Sequence, residues 1–581
     1  MNMLKKNKFE IGVVLLFGAI YCIYCSYVML ELPFLTWFDQ LPLIDKLYTK
    51  ELSLSDLMNT YGEHGMFGTN LLFLLNCGVF NMSTLFDVYL NDINVIIVAG
   101  ICIYGFYKSC PEQQTSYIYR ICLIVISFFA FNIMQGSSGG METQVRLGLL
   151  FCIIAMYMCD RILLEKTSPV YVIVTVLMIF FSMNVFGTLY SFAMLTIICL
   201  VNACKCVRYK SLKRREGVIV ISCMCCGILY LVQYQLIGKG GMTSGGIAEA
   251  TIFFLKNPIS IWKGLVGYCG SFLLGYRALA DGEISSELYL LIGTIVMLIV
   301  IYAIWRFFVE KQYRNSWFPI YLIFYSFFVW GMVLIGRYGN GSGGWQWFTN
   351  DWYYVHTKIA VIGVIWILAH SFYAHKHILK QVALLALCFT LVGGVYGSVI
   401  QVKVAPSIKN YYKEKQPYLF AEDISELSVD ENGNTPLLHT REVTMQSIEI
   451  LKKYSLSVYR YYDAYLQMQV GNTLSTCRIV KGISDDGWVE SSANLIILSG
   501  DQGIIHLEGR YTESITGDEV ISISCNGDSL IEYALNSESF AFDIPCSVNS
   551  QIELTIQTNF SFQSLPDIRE LAFILSDLNA F

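Results

Sequence analysis

The chain has 581 residues, of which 55% are hydrophobic and 14% are charged, and its mean hydropathy is +0.51. Soluble globular domains carry about 25% charged residues, so this composition excludes an ordinary soluble protein and indicates a membrane protein. The net charge of −6 is unevenly divided, because residues 406–581 carry 25 acidic and 11 basic side chains while the first 405 residues carry a net charge of +8. The sequence therefore predicts two kinds of structure in one chain.

The 19 cysteines do not have the arrangement of a disulfide framework. Sixteen lie in the first 405 residues, mostly in apolar runs, where a free thiol behaves as a small hydrophobic group. The pair Cys22/Cys25 and the group Cys223, Cys225 and Cys226 lie among Ile, Leu, Tyr and Met, with no His or carboxylate beside them. Because thiolate ligands need a polarising environment, we expect neither a metal site nor a redox site there.

Apolar stretches near the ~20 residues needed to cross a bilayer recur along the first 400 residues. They predict a polytopic α-helical membrane domain over residues 1–405 with about eleven spans, at residues 10–30, 92–109, 118–134, 144–162, 169–185, 187–203, 217–236, 286–308, 317–336, 353–371 and 381–400. The apolar segment Ile252–Tyr276 also contains Lys256, Asn257, Pro258 and Lys263. We therefore expect a re-entrant or interfacial helix at that segment.

Basic residues in short loops indicate the orientation of the spans, because Lys and Arg are enriched in the loops on the cytoplasmic side. Four basic clusters fall on one side of the membrane if the spans alternate: Lys5–Lys8, Lys205–Arg215, Arg306–Arg314 and Lys376–Lys380. We expect a multi-pass protein of the cell membrane with a cytoplasmic amino terminus and an extracytoplasmic carboxyl terminus.

The composition becomes polar and acidic after Lys403. Residues 406–476 are predicted to be a linker with one short amphipathic helix, because Val443, Met445, Ile448 and Leu451 recur at helical spacing. Residues 477–581 predict a jelly-roll-like β-sandwich as an accessory domain, since short apolar runs alternate with Gly, Asp, Asn and Ser. The seven runs are Asn494–Leu498, Gly503–Gly509, Glu519–Ser524, Leu530–Leu535, Phe540–Ile544, Gln551–Gln557 and Glu570–Leu575.

The first external loop carries acidic groups at the expected membrane surface. Asp39 follows the first span, and Glu63 and His64 follow a short predicted amphipathic helix around Leu52–Met58. Carboxylates at a membrane boundary are costly when desolvated, so they are often functional if they point into a cavity. An ordinary solvated loop is the alternative.

The order of these residues resembles polytopic bacterial glycosyltransferases of the GT-C superfamily. After Asp39, residues 46–57 read Lys-Leu-Tyr-Thr-Lys-Glu-Leu-Ser-Leu-Ser-Asp-Leu, and the Glu63-His64 pair follows. Many such enzymes carry a related Asn-Glu-His-Arg pattern at this point. The present chain differs, because Gly62 precedes the pair and Gly65 follows it, so the family's arginine is missing.

Further segments occur in the order that such enzymes show. They are Met134-Gln135 with Gly139–Gln144, then Gly336-Arg337, and the tail segments Gly487–Val489 and Pro566–Leu571. In place of a Ser-Arg-Tyr motif the chain has Asp351-Trp352-Tyr353-Tyr354, which puts a second basic contact in doubt.

The resemblance implies an inverting transfer of a sugar from a polyprenyl-phosphate donor to a cell-envelope glycan. It implies that Asp39 is the general base, that Glu63 binds or orients the acceptor, and that His64 is a candidate acid. A well-placed base contributes roughly 10²–10⁴-fold to the rate. The alternative is that His64 is an incidental surface histidine, which is the more common case for a single histidine.

The resemblance also implies residues that hold the substrates. Arg337 would bind the donor phosphate through its planar fork, with Arg277 and Arg146 as helpers. The remaining candidates for substrate contact are Gln135, Gln144, Trp352, Tyr353 and Trp488. For the aromatic residues the alternatives are an interfacial belt at Trp352 and Tyr353 and core packing at Trp488.

Two other functions stay open, namely a flippase of lipid-linked sugars and a membrane-anchored glycan-binding protein. Charged residues look scarce inside the predicted spans, which argues against a transporter. Asp and Glu suit Mg²⁺ or Mn²⁺, but two carboxylates do not establish a metal site. The expected partners are the donor lipid, the glycan acceptor and membrane lipids. We expect no nucleic acid, and the Gly238–Gly246 stretch lacks the register of a nucleotide-binding loop.

Overall fold

The computed structural model describes most of the chain, in two compact units, Met1–Tyr412 and Lys413–Phe581. The described residues are 8–29, 40–58, 60–61, 64–80, 82–109, 120–125, 140–164, 168–187, 190–209, 214–237, 247–280, 282–336, 344–349, 354–371, 377–413, 428–430, 433–437, 440–454, 456, 467–470, 473–483, 487–527, 531–548, 550–563 and 570–581.

The first unit is built of helices. In chain order they are α1 Lys8–Met29, α2 Pro42–Tyr48, α3 Leu54–Leu57, α4 Phe67–Phe80, α5 Thr84–Ser109, α6 Gly140–Leu164, α7 Pro169–Phe180, α8 Ser191–Tyr209, α9 Arg214–Ile237, α10 Ile247–Lys256, α11 Pro258–Leu274, α12 Arg277–Ala280, α13 Ser286–Val309, α14 Phe318–Gly336, α15 Tyr354–Ser371 and α16 His377–Lys413. A π-helical turn, Phe181–Val185, follows α7, and a short hairpin pairs β1 Thr60–Tyr61 with β2 His64–Gly65.

Six of the described helices are long and apolar enough to cross a membrane. They lie within α5, α6, α9, α13, α14 and α16, and five shorter apolar helices add to them. Ten of the eleven expected spans coincide with helices, and of the remaining one, 118–134, only the helical residues 120–125 are described. The protein therefore has the apolar helices of a membrane protein, while the number of spans and their orientation stay predictions.

The region expected to be one external loop contains a helix that the sequence did not reveal. Helix α4 has 14 residues and buries polar as well as apolar side chains, among them Thr69, Asn70 and Asn76. It is too short for the bilayer criterion and its polar residues obscure its apolar face, so hydropathy missed it. The amphipathic helix expected around Leu52–Met58 is only the single turn α3.

The segment Ile252–Tyr276 forms parts of two helices, α10 and α11, which meet at Asn257. Pro258 opens α11, where its missing N–H is tolerated. The first part of the pair is mostly exposed, whereas every residue from Val266 to Leu274 is buried. Helix α16 also continues through Pro406 to Lys413, eight residues past the end expected for the membrane domain.

The second unit contains helix α17, Arg441–Lys453, which confirms the predicted amphipathic helix. Its buried face differs from the expected one. Thr444, Ser447, Ile448 and Leu451 are buried, whereas Met445 is exposed. Two small polar residues, Thr444 and Ser447, therefore lie on the buried face, where Val443 and Met445 were expected.

An antiparallel sheet of nine strands makes up the rest of the second unit. The strands are β3 Gln467–Val470, β4 Thr473–Ile483, β5 Trp488–Leu498, β6 Ile504–Arg510, β7 Val520–Cys525, β8 Ile531–Ala534, β9 Ser539–Pro545, β10 Gln551–Thr558 and β11 Leu571–Ala580. All seven apolar runs expected to be strands form them.

Strand β5 joins two wings of this sheet, because one part pairs with β10 and another with β11. The wings, β8-β7-β10 and β11-β6-β9, contribute to one hydrophobic core. Their outer strands also touch, since the rings of Tyr533 and Phe542 stack with centroids 4.2 Å apart. The sheet therefore folds over on itself, and the jelly-roll-like order of strands stays a prediction.

Candidate functional site

Most of the site residues expected from the sequence fall where their side chains are not described. Six of the ten lie outside the described residues: Asp39, Glu63, Gln135, Arg337, Trp352 and Tyr353. His64 lies in β2 and Arg277 begins α12, but only their backbones are described. The structure places the side chains of Gln144 and Trp488, and it defines the surroundings of the β1–β2 hairpin.

A network of polar contacts organises the chain that leads to the hairpin. Ser53 and Asp56 form a reciprocal capping box at α3. Lys46 donates to the Asp56 carboxylate over 2.5 Å and Ser53 donates to it as well, so the pKa of Asp56 is held well below its usual value. Asn70 of α4 donates to the carbonyl of Leu57 over 3.0 Å. Segments on both sides of the hairpin are therefore tied together.

Gly65, the residue after His64, is the hairpin residue that hydrogen-bonds to other elements of the first unit. The side-chain amide of Gln144 in α6 donates to the Gly65 carbonyl over 2.7 Å. The Gly65 N–H donates to the carbonyl of Gly187 over 2.9 Å, and the Tyr230 hydroxyl of α9 donates to that same carbonyl over 3.2 Å. Gln144 and Gly187 thus hold Gly65 directly, and Tyr230 holds the Gly187 carbonyl that Gly65 uses.

Gln144 was expected to contact substrate, and the structure shows that its amide nitrogen contacts the hairpin. Its side chain is 1% exposed. The nitrogen is used by Gly65, while the Oε1 atom has no hydrogen-bond partner among the described residues. Arg146, expected to be a helper for the phosphate, is buried one half-turn further along α6. We name Gly65, Gln144, Gly187 and Tyr230 the hairpin junction.

Helix α4 begins beside the hairpin junction and packs on the π-helical turn. A Cβ atom on Gly68 would lie 2.8 Å from the carbonyl oxygen of Val185, so only glycine fits there without a shift. Single π-helical turns are frequent at functional sites. The turn here ends two residues before Gly187 and so directs the chain toward the hairpin.

A buried histidine near the hairpin junction was missed by the sequence reasoning. His356 of α15 is fully buried, its Nδ1 atom lies 2.9 Å from the Tyr325 hydroxyl of α14, and its ring lies 4.4 Å from the Tyr190 ring between centroids. Tyr190 is three residues after Gly187, so their Cα atoms are at most about 11 Å apart. In the sequence, His356 is a single histidine in a largely apolar segment, and no pattern around it indicates a functional site.

The helical unit buries more charge than the sequence suggested. Five charged side chains that are nearly fully buried lie in α5, α6 and α15: Asp87, Asp92, Arg146, Asp160 and Lys358. Four of them, all but Asp87, lie within predicted spans, where charged residues are few in number. Asp160 has a structural role, since it accepts the backbone N–H of Trp317 over 2.6 Å at the start of α14.

Neither a cluster of metal ligands nor a fully exposed tail tryptophan is found in the described part of the chain. Within the described part of the chain, no group of three or more His, Cys, Asp or Glu residues is placed to hold a metal ion. Trp488 in β5 is half-buried, and its ring packs edge-on against Phe562 at 5.5 Å.

We compared the chain with known proteins. No protein-family model matches it, and no curated protein matches it.

Proposed function

We propose that the protein is an integral membrane glycosyltransferase that moves a sugar from a polyprenyl-phosphate donor to a cell-envelope glycan on the extracytoplasmic face. The observation that carries this proposal is that hydrogen bonds from other elements hold the β1–β2 hairpin in place. Glu63 and His64 immediately precede Gly65, which is fixed by Gln144, Gly187 and their neighbours. Catalytic and binding groups need such a rigid support to act on a bound substrate.

The proposed chemistry assigns one role to each group. The Asp39 carboxylate removes the proton from the acceptor hydroxyl as that oxygen attacks the anomeric carbon. The bond to the donor phosphate breaks, and the phosphate leaves with its negative charge stabilised by Arg337. Glu63 and His64 orient the acceptor. Asp39 and Glu63 could also bind Mg²⁺ or Mn²⁺, as ligand chemistry allows.

A flippase of lipid-linked sugars is the second candidate, and one observation favours it. Asp87 and Asp92 are both 1% exposed in α5, and buried acidic groups in membrane helices commonly mark pathways for polar substrates. The partly exposed Trp488 is compatible with a third function, a glycan-binding module held by a membrane anchor.

Mass spectrometry of envelope glycans from cells with and without the gene separates these functions. A transferase predicts the loss of one sugar substituent, which wild-type protein restores and Asp39→Asn does not. Glu63→Gln should reduce transfer less. Glu51→Gln is the matched control, because it removes an exposed carboxylate from the same loop. An unchanged glycan, with sugar-lipid accumulating on the inner leaflet, would instead support the flippase.

The donor site has its own test in binding of polyprenyl phosphate to the purified protein. Arg337→Lys keeps the positive charge but loses the paired donors, so we expect weaker binding, and Arg337→Ala should bind weaker still. Unchanged binding by both variants would move the phosphate site to another residue, with Arg277 as the next candidate.

A further inference from the structure

Helices α8 and α9 pack as antiparallel neighbours in a regular register. The rings of Phe192 and Tyr230 meet at 5.5 Å between centroids. One turn further along α8, a Cβ atom on Gly227 would lie 3.4 Å from Leu195. The absence of a side chain at Gly227 lets the two backbones approach each other closely.

The next step of this register brings two cysteines together. Phe192, Leu195 and Cys199 follow each other at helical spacing on α8, as Tyr230, Gly227 and Cys223 do in the reverse direction on α9. This register, with the ring pair on one side and the next ion pair on the other, places Cys199 and Cys223 opposite each other across the interface. Beyond them, Lys205 of α8 and Glu216 of α9 form an ion pair that continues the same interface.

The two thiols differ in access. Cys223 is buried, whereas Cys199 is partly exposed, and both are free. Cys199 is six residues from Lys205, which corresponds to about 9 Å along the helix axis. Lys205 lies near the end of α8, in the basic segment that we expect on the cytoplasmic side. Cys199 is therefore the thiol that a small oxidant reaches first.

We propose that Cys199 and Cys223 form an oxidisable thiol pair that links α8 to α9 through a disulfide. A peroxide oxidises the Cys199 thiol to a sulfenic acid and is itself reduced, to water when it is hydrogen peroxide. The Cys223 sulfur then attacks the sulfenic sulfur, an S–S bond forms, and the hydroxyl leaves with the thiol proton as water. Cellular dithiols reverse the reaction. The proposal does not depend on the proposed function.

This proposal departs from the expectation that Cys223 belongs to no redox site. The sequence shows Cys223 beside Cys225 and Cys226, and positions two apart on one helix, such as 223 and 225, do not face each other. The partner thiol lies on the preceding helix, 24 positions earlier.

Peptide mapping of the full-length protein in detergent micelles tests the proposal. After treatment with hydrogen peroxide and blocking of the remaining thiols with a maleimide, we expect a cross-linked peptide containing residues 199 and 223. It should be two hydrogen atoms lighter than the sum of its parts and should disappear on reduction. Recovery of both residues as maleimide adducts while the exposed Cys204 is oxidised would overturn the proposal, as would a link from Cys223 to the neighbouring Cys159.

Variants sharpen the test. Cys199→Ser should abolish the cross-link. Cys223→Ser should leave Cys199 as a sulfenic acid that a dimedone probe captures, because the second thiol is absent. Cys204→Ser is the matched control, since it changes an exposed thiol on the same helix, and it should leave the cross-link unchanged. A cross-link lost equally in the Cys204→Ser control would contradict the assignment.

Discussion

The backbones of Gly187 and Gly65 pass each other so closely that the contact tolerates a side chain on only one of them. A Cβ atom on Gly187 would lie 2.8 Å from the Cα and 2.9 Å from the N and O atoms of Gly65. A Cβ atom on Gly65 would meet nothing nearer than 3.5 Å. The asymmetry arises because the Gly187 Cβ direction points at backbone, whereas the Gly65 direction points at the Tyr230 ring.

Gly187→Ala should therefore displace the β1–β2 hairpin, whereas Gly65→Ala should not. Overpacking of this kind costs typically about 1–3 kcal/mol. We expect a lower thermal stability and at least a tenfold loss of glycan transfer for Gly187→Ala. Gly65→Ala is the matched control, since it adds the same methyl group to the same contact. Equal behaviour of the two variants would show that the contact does not position the site.

Gln144→Met should weaken the hairpin junction, because it keeps the size of the side chain but removes the donor to the Gly65 carbonyl. A buried carbonyl left without a partner costs about 1–3 kcal/mol. We expect faster hydrogen exchange at residues 60–65, measured by mass spectrometry on the full-length protein. Gln144→Glu is a useful comparison, since it retains the shape but presents no N–H. Wild-type exchange in Gln144→Met would rule out a positioning role.

Asp160→Asn should reduce stability without changing the activity of the molecules that remain folded. The carboxylate accepts from Arg161 over 2.7 Å, from the Ser316 hydroxyl over 2.8 Å and from the Trp317 N–H. Removing one partner from a buried ion pair costs about 3–5 kcal/mol. Thermal unfolding and transfer per folded molecule separate the two effects. Glu287→Gln, at an exposed carboxylate, should change neither quantity, and a selective loss of activity in Asp160→Asn would assign it a functional role.

The stability of the sheet unit should depend on pH through His506. Its ring nitrogens contact Asp543 at 2.6 Å and Glu508 at 3.0 Å, and these contacts raise the pKa of His506 above its usual 6.5. The stabilisation is therefore fully present below pH 6.5 and is lost as the pH rises through the raised pKa. Because the carboxylates are exposed, we expect less than about 1 kcal/mol.

Thermal unfolding of wild type and His506→Gln between pH 5.5 and 8.5 measures this contribution. The stability difference between the two proteins should shrink as the pH increases. Asp501→Asn controls for the loss of an exposed surface charge in the same unit. A difference that grows with pH would contradict the direction of the pKa shift.

The sequence by itself determined the class of the protein and most of its elements. Apolar runs of bilayer length correspond to helices such as α6 and α13. A continuous apolar run favours removal from water whatever residues pack against it, because the hydrophobic effect depends on apolar area and not on specific partners. The seven short runs of the tail are strands for a similar local reason, since their alternation sets which face is buried. Helix α4 was not predicted, because its buried asparagines are stabilised by hydrogen-bond partners that only the fold supplies.

Only the tertiary structure decided the contacts that define the hairpin junction and the thiol pair. Gln144 and Gly65 are 79 positions apart, and Cys199 and Cys223 come from opposite helices. The sequence marked Gln144 as polar and Gly65 as unusual beside His64, but a residue type does not state which carbonyl it binds. Such pairings are fixed by how the helices pack, because hydrogen bonds and thiol contacts act over a few ångströms in space and not along the chain.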